Sequence, residues 1–314
     1  MRAFAIDEFG ETGTIRELPI PEPGEGEVVV GVRAAGLNAT DLAVMSGYMK
    51  DYMPHLFPLV PGLDASGIVE RVGPGVDGFH AGDEVYGYTR QRRMGAGTLS
   101  EYVVLPADAI SRKPSTISYE QAAVIGHAAL TAAAAVEDAG VKAGDLVAIL
   151  GATGGVGSYA TQFASDAGAT VIAVTRDEHA DYAKSLGATE TVDYASHNAV
   201  DTVRAQHPDG IDALIDFCGT PELVAGMTDL VRKGGHVAST ILPPDAEALA
   251  AKGIEGTLTT RFTAEHRFPE IAGRIADGSL KIPAIQTFSF DKVGDALELQ
   301  ATRHVAGKVA VTLG

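Results

Sequence analysis

The run Leu146-Val147-Ala148-Ile149-Leu150 passes into Gly151-Ala152-Thr153-Gly154-Gly155-Val156-Gly157 and then into a helix-forming stretch, Ser158–Ala167. A strand, a glycine turn and a helix in that order bring unpaired N–H groups and the positive end of a helix dipole to one point, which suits a pyrophosphate. Gly154 lets the backbone approach the phosphates, and Gly157 lets the helix lie close on the strand, because neither carries a Cβ. Against the common Gly-x-Gly-x-x-Gly pattern the first position is Ala152, so the flanking elements carry this reading more than the pattern does. The next strand ends Val174-Thr175-Arg176. A site for a ribose 2′-hydroxyl usually carries an acid there; Thr175 and Arg176 instead offer a hydroxyl and a cation, which favours a 2′-phosphate and so NADPH over NADH. Asp177 partly offsets that cation, and a solvated strand-end arginine is the plainer alternative.

These residues need a scaffold, and the pattern on either side of them supplies one. From Tyr119 to about Phe262 apolar strands alternate with amphipathic helices, the sign of βαβ units around a parallel sheet. The strands read Leu146–Leu150, Thr170–Val174, Glu190–Val192, Ala213–Phe217, Gly235–Thr240 and Thr257–Phe262, enough for a doubly wound Rossmann sheet. In such a sheet the backbone at Phe217, Cys218 and Gly219 and at Ser239, Thr240 and Ile241, at the carboxyl ends of the fourth and fifth strands, flanks the cofactor. Residues 1–118 read differently, as short β-rich runs between Gly/Pro turns: Ala3–Ile6, Val28–Ala34, Gly67–Val72, Glu84–Tyr86 and Leu99–Val104. Beyond the sheet, residues 263–314 read as a helix at about Ala264–Asp277, a strand-like Thr287–Phe290, a helix at Val293–Ala301 and a strand at Gly307–Thr312, with no strand partner of their own. The expected organisation is thus α/β, with a mostly β domain (1–118), a cofactor-binding domain (119–262) and a tail (263–314).

With 314 residues the chain is long enough for two cores. Its 24 Lys+Arg against 41 Asp+Glu leave a net charge of −17, which repels a phosphate backbone and argues against a nucleic-acid partner. No run approaches the roughly 18 apolar residues of a membrane span. The start, Met1–Asp7, breaks its apolar run with an acid and does not read as a signal peptide. The one cysteine, Cys218, forms no internal disulfide and no Cys-rich zinc site, and suits a reducing compartment; in its apolar strand it reads as a small buried hydrophobe. The cytoplasm is the expected location.

A series of further motifs resembles one family over nearly the whole chain. In order they are Gly36-Leu37-Asn38-Ala39-Thr40-Asp41, Pro61-Gly62-Leu63-Asp64-Ala65-Ser66-Gly67, Val72-Gly73-Pro74-Gly75-Val76, Gly82-Asp83-Glu84-Val85-Tyr86-Gly87, Gly97-Thr98-Leu99-Ser100-Glu101-Tyr102-Val103, the glycine turn and Gly307-Lys308-Val309. Together they resemble the medium-chain dehydrogenase/reductases, and within them the quinone oxidoreductase and zeta-crystallin branch. The resemblance implies a GroES-like amino-terminal domain, a Rossmann domain, a tail that returns to the first domain, an active-site cleft between the domains and a homodimer.

By the same resemblance, Asn38 and Asp41 line the entrance to the acceptor, Tyr48 offers its phenol to the acceptor oxygen, Thr131 lies near the nicotinamide and Lys308 reaches toward the 2′-phosphate. Tyr48 also suits ordinary loop packing, Thr131 a bond to its own helix backbone, and Lys308 a solvated position. Zinc-dependent members carry a Cys where this chain has Asn38 and Gly-His-Glu where it has Gly62-Leu63-Asp64, so no zinc is expected. Without that Lewis acid, hydride donation to a quinone or an α,β-unsaturated carbonyl is the expected chemistry, rather than alcohol oxidation. Enoyl-thioester reduction and a non-catalytic, NADPH-binding structural or regulatory role remain as alternatives. The chain departs from the family pattern at Gly126-His127 and in the loop Arg90-Gln91-Arg92-Arg93.

Overall fold

The computed structural model describes residues 1–90, 93–195 and 198–314; Gln91 and Arg92, in the divergent arginine loop, lie outside the described residues. The chain divides into two compact units, one of Met1–His127, Phe268–Asp277 and Ala284–Gly314, the other of Ala128–Arg267 and Gly278–Pro283.

The first unit holds β1 (Arg2–Ala5), β2 (Thr14–Glu17), β3 (Glu27–Gly36), α1 (Ala39–Met45), β4 (His55–Val60), β5 (Asp64–Val72), β6 (Glu84–Tyr88), β7 (Met94–Ala96), β8 (Tyr102–Pro106), β9 (Ile110–Arg112) and α2 (Tyr119–Ala122). Its long strand β3 is buried along most of its length, with Val28, Val29, Val30, Val32, Ala34 and Ala35 at 4% exposure or less. It pairs antiparallel with β5 and β8, which makes it the spine of the main sheet. Four of the strands escaped the sequence reading. In β4, Pro58 interrupts the run and makes it look like a loop; β2, β7 and β9 are three or four residues long, too short to show a period.

The second unit is built on β10 (Leu146–Leu150), β11 (Thr170–Thr175), β12 (Glu190–Asp193), β13 (Ile211–Asp216), β14 (Val231–Ser239) and β15 (Glu255–Leu258). All pair in parallel in the order β12-β11-β10-β13-β14-β15, the doubly wound order of a Rossmann sheet. Around it lie α3 (Gly126–Asp138), whose first two residues belong to the first unit, and α4 (Gly157–Asp166), α5 (Ala180–Ser185), α6 (Ala199–Gln206), α7 (Pro221–Thr228) and α8 (Ala246–Lys252). The central strands are apolar throughout because helices cover both faces of a parallel sheet.

The last strand was expected at 257–262 and stands at 255–258. Gly253, left-handed at φ 70°, ends α8 and turns the chain directly into the sheet, while Arg261–Arg267 winds as a 3₁₀ helix. In the tail, the helix expected from Ala264 starts later, as α9 (Phe268–Ala276), followed by β16 (Ile285–Ser289), α10 (Val293–Ala301) and β17 (Lys308–Thr312). The two tail strands pair with each other in parallel, contrary to the reading that they lack a partner, and β17 adds to β3 in the first unit through Ala310 opposite Gly36. The Phe268 ring meets Tyr86 and Tyr88 edge-on at 5.8 and 5.3 Å. No helix among the described residues is long and apolar enough to cross a membrane.

Candidate active site

In the Rossmann unit, β10 delivers the glycine turn at its carboxyl end. Gly151 is left-handed at φ 77°, which a residue with a side chain rarely adopts. Its carbonyl accepts the N–H of Gly154 at 3.0 Å, closing the turn, and a Cβ on Gly157 would run into that same carbonyl oxygen. Helix α4 therefore begins as close to the strand as a backbone can come. Val156 at its N-cap supplies no side-chain cap, so nothing from that side chain competes with an anion for the first-turn N–H groups. Thr153, in the turn, shares a 2.6 Å hydrogen bond with Thr175 at the end of β11, both buried. Thr175 thereby braces the turn. Arg176 follows at the strand end, its side chain 38% exposed, donating to the Tyr194 hydroxyl at 3.3 Å and lying 3.6 Å from Glu178.

The carboxyl ends of β13 and β14 are organised by a residue that the sequence reading passed over. Asp216 is buried; one carboxylate oxygen accepts the N–H groups of Cys218 (3.1 Å) and Gly219 (2.7 Å), the other the Ser239 hydroxyl (2.9 Å), while its carbonyl accepts Thr240 N–H at 3.1 Å. The carboxylate thus ties Cys218 and Gly219 to Ser239, whose hydroxyl in turn accepts the N–H of Ile241 at 3.2 Å, while the Phe217 N–H goes to the Leu150 carbonyl. An acid directly after the apolar run Ala213-Leu214-Ile215 was the available signal. Cys218 is exposed rather than buried, because that turn carries it out past the end of the strand.

In the first unit, Asn38, Asp41, Asp64 and Lys308 converge, all at 5% exposure or less. The Lys308 ammonium donates to Leu37 O at 2.7 Å and to the Asn38 side-chain oxygen at 2.6 Å. The Asn38 amide nitrogen donates to Asp64 at 3.0 Å, and the other Asp64 oxygen accepts the N–H of His127 at 2.7 Å. Asp41 accepts the Asn38 N–H at 2.8 Å and so caps α1. This arrangement corrects two expectations. Lys308 is spent inside the fold of the first unit and does not reach for a 2′-phosphate, and Asn38 gives its amide to Asp64 instead of to an acceptor. The reason is shared: a buried ammonium and a buried carboxylate each need partners, and the Asn amide bridges them. Asp41 is buried at 1%, on the wall of a small pocket with Val44, Val60 and Met94. Tyr48 lies in the turns after α1 and is 64% exposed. Thr131 is buried on α3.

Burial pushes the Asp41 carboxyl up to about 7, with Asp64 adding to the effect and the N–H donors and Lys308 opposing it; burial also pushes the Lys308 ammonium down. A carboxyl that is higher in the folded than in the unfolded chain contributes its full stability at acid pH and loses it as pH rises toward 7. Asp41→Asn is therefore expected to gain on the parent between pH 4 and pH 8, by up to about 4 kcal/mol, in chemical unfolding. A constant difference across that range would refute the assignment.

Among the described residues, no three His, Cys, Asp or Glu side chains group to hold a metal ion. Residues 24–115 match the alcohol dehydrogenase GroES-like domain, and residues 155–272 match the family described as zinc-binding dehydrogenase. The chain is 30% identical to 2-methylene-furan-3-one reductase of Solanum lycopersicum, over 99% of this chain and 79% of that protein. It is 30% identical to the chloroplastic quinone-oxidoreductase QR1 of Triphysaria versicolor, over 99% and 98%. Among solved structures, one described as an NAD-dependent alcohol dehydrogenase superposes with a TM-score of 0.86 at 32% identity, covering 100% of both chains. The chain belongs to the medium-chain dehydrogenase/reductases, in their quinone-oxidoreductase branch, and is an oxidoreductase. The zinc of the second family's description does not fit here: the amide of Asn38 is committed to Asp64, and Leu63 offers no ligand atom.

Proposed function

We propose that the chain reduces a quinone or an α,β-unsaturated carbonyl with NADPH and without zinc. The observation that carries this reading is the glycine turn at the carboxyl end of the central Rossmann strand, next to a second strand that is followed by Arg176 and not by an acid. Gly151–Gly157 and the first turn of α4 would hold the pyrophosphate, the backbone that Asp216 organises would flank the nicotinamide with Thr131, and Arg176 would face the 2′-phosphate. When bound, this cofactor supplies a hydride. The chain's own part is to orient the acceptor and to stabilise the negative charge that gathers on its oxygen, for which the exposed Tyr48 phenol is the candidate donor. Similarity to furanone and quinone reductases supports such acceptors.

NADPH oxidation with a panel of quinones and conjugated enones tests the reading. Turnover is expected with some of them and none with simple alcohols, in protein free of stoichiometric zinc. Arg176→Ala is expected to reduce the preference for NADPH over NADH by no more than about tenfold, since solvent screens an exposed arginine. Metal-free oxidation of alcohols with NAD, with no quinone or enone reduced, would instead support a second reading, which the similarity to an NAD-dependent alcohol dehydrogenase favours.

The chain is proposed to act as a cytoplasmic homodimer. Strand β15 pairs with β14 alone among the described residues, and its last residue, Leu258, is 46% exposed. Sedimentation should give the mass of two chains, and of one in Thr257→Pro, whose missing N–H interrupts edge pairing. A monomeric parent protein would remove this part of the proposal.

A further inference from the structure

The strand end that carries Arg176 already holds an anion of its own. Strands β11 and β12 run side by side with Thr175 opposite Asp193, so the residues that follow them, Arg176 and Tyr194, leave the sheet together. The Arg176 guanidinium donates to the Tyr194 hydroxyl at 3.3 Å. Directly after Arg176 the chain makes one 3₁₀ turn, Asp177–His179, closed by the His179 N–H on the Arg176 carbonyl at 2.9 Å. That turn folds Glu178 back, and one of its carboxylate oxygens stands 3.6 Å from an Arg176 nitrogen and 3.6 Å from His179 Nε2. A negatively charged oxygen thus sits between a guanidinium and an imidazole, and the whole arrangement lies within the second unit.

We propose that Glu178 is a specificity-determining residue, whose carboxylate occupies Arg176 in place of a 2′-phosphate and so narrows the preference for NADPH over NADH. The inference rests on the reading of Arg176 as the 2′-phosphate contact, and it concerns the strength of that contact. A phosphate monoester carries close to two negative charges at neutral pH and competes with the carboxylate for the guanidinium. NADH has a hydroxyl in that place, brings no such charge and leaves the pair undisturbed. Glu178 is able to yield: its side chain is 64% exposed, so it turns out into water without opening the core. The cost of displacing it falls on NADPH alone. Because solvent screens an exposed ion pair, that cost is about two- to fivefold in affinity, enough to adjust a preference without abolishing it.

The test is fluorescence titration of NADPH and of NADH with the parent, Glu178→Gln, Arg176→Ala and the double variant. Glutamine keeps the shape of the glutamate and removes its charge, and both positions face solvent, so the variants keep the fold. Glu178→Gln is expected to bind NADPH about two- to fivefold more tightly than the parent, with NADH unchanged. In the Arg176→Ala background the same change should bring no gain, since no guanidinium is there to be released. An unchanged NADPH affinity in Glu178→Gln overturns the inference. So does an equal gain for NADH, which would place the effect on the pyrophosphate that both cofactors share, and so does a gain as large without Arg176 as with it. Each of these results leaves the reductase reading in place. A parent that binds neither cofactor overturns that reading itself, and this inference falls with it.

Discussion

Lys308→Met is expected to destabilise the protein by about 3–5 kcal/mol, the cost typical of leaving a buried charge without its compensating partner, here Asp64 reached through the Asn38 amide. The side chain would fit a space of similar length, so lost packing is not the main term. What remains is the Asp64 carboxylate at 0% exposure, with the Asn38 oxygen and the Leu37 carbonyl deprived of the donor they share. Urea unfolding measures the loss. Adding Asp64→Asn should recover part of it, because the double variant no longer buries an unbalanced charge, and the coupling between the two sites is the diagnostic quantity. A loss below about 1 kcal/mol, or strict additivity of the two changes, would show that the cluster is not a connected network.

Gly157→Val should weaken NADPH binding by between about tenfold and a hundredfold, which is the 1–3 kcal/mol typical of overpacking expressed as affinity. The added Cβ meets the Gly151 carbonyl, a backbone atom that moves only if α4 backs away from β10, and the first-turn N–H groups then leave the position where a pyrophosphate is held. Gly154→Ala is a useful companion. Its Cβ would stand 3.3 Å from Gly151 O, a contact that a small shift relieves, so the fold should tolerate it. Any affinity that Gly154→Ala loses without loss of stability reports on the close approach of the cofactor itself. Titration of NADPH fluorescence, alongside unfolding midpoints, separates the two effects. Binding within about threefold of the parent for Gly157→Val would mean that the turn does not hold the phosphates.

The sequence by itself determined the two-part architecture and the glycine turn between strand and helix at Gly151–Gly157. Both rest on signals that are local: a parallel sheet covered on both faces demands apolar runs such as Val147–Leu150 and Val171–Val174, and a strand-to-helix turn closed on its own backbone demands a glycine at 157. Helix α10 was legible to the residue for the same reason, and β15 less so, because its start depends on a left-handed glycine cap at Gly253 rather than on a pattern. Partnership was not local. Thr153 and Thr175 lie 22 residues apart, Asn38 and Lys308 270 apart, and nothing in either neighbourhood says that the chain will bring them together. Only the tertiary structure, by adding β17 to β3, placed an ammonium beside Asn38 and made Asn38, Asp41 and Asp64 members of one buried cluster. Burial then decided their chemistry: a carboxyl removed from water holds its proton to about 7, and an ammonium removed from water must be satisfied inside the fold rather than offered to a ligand.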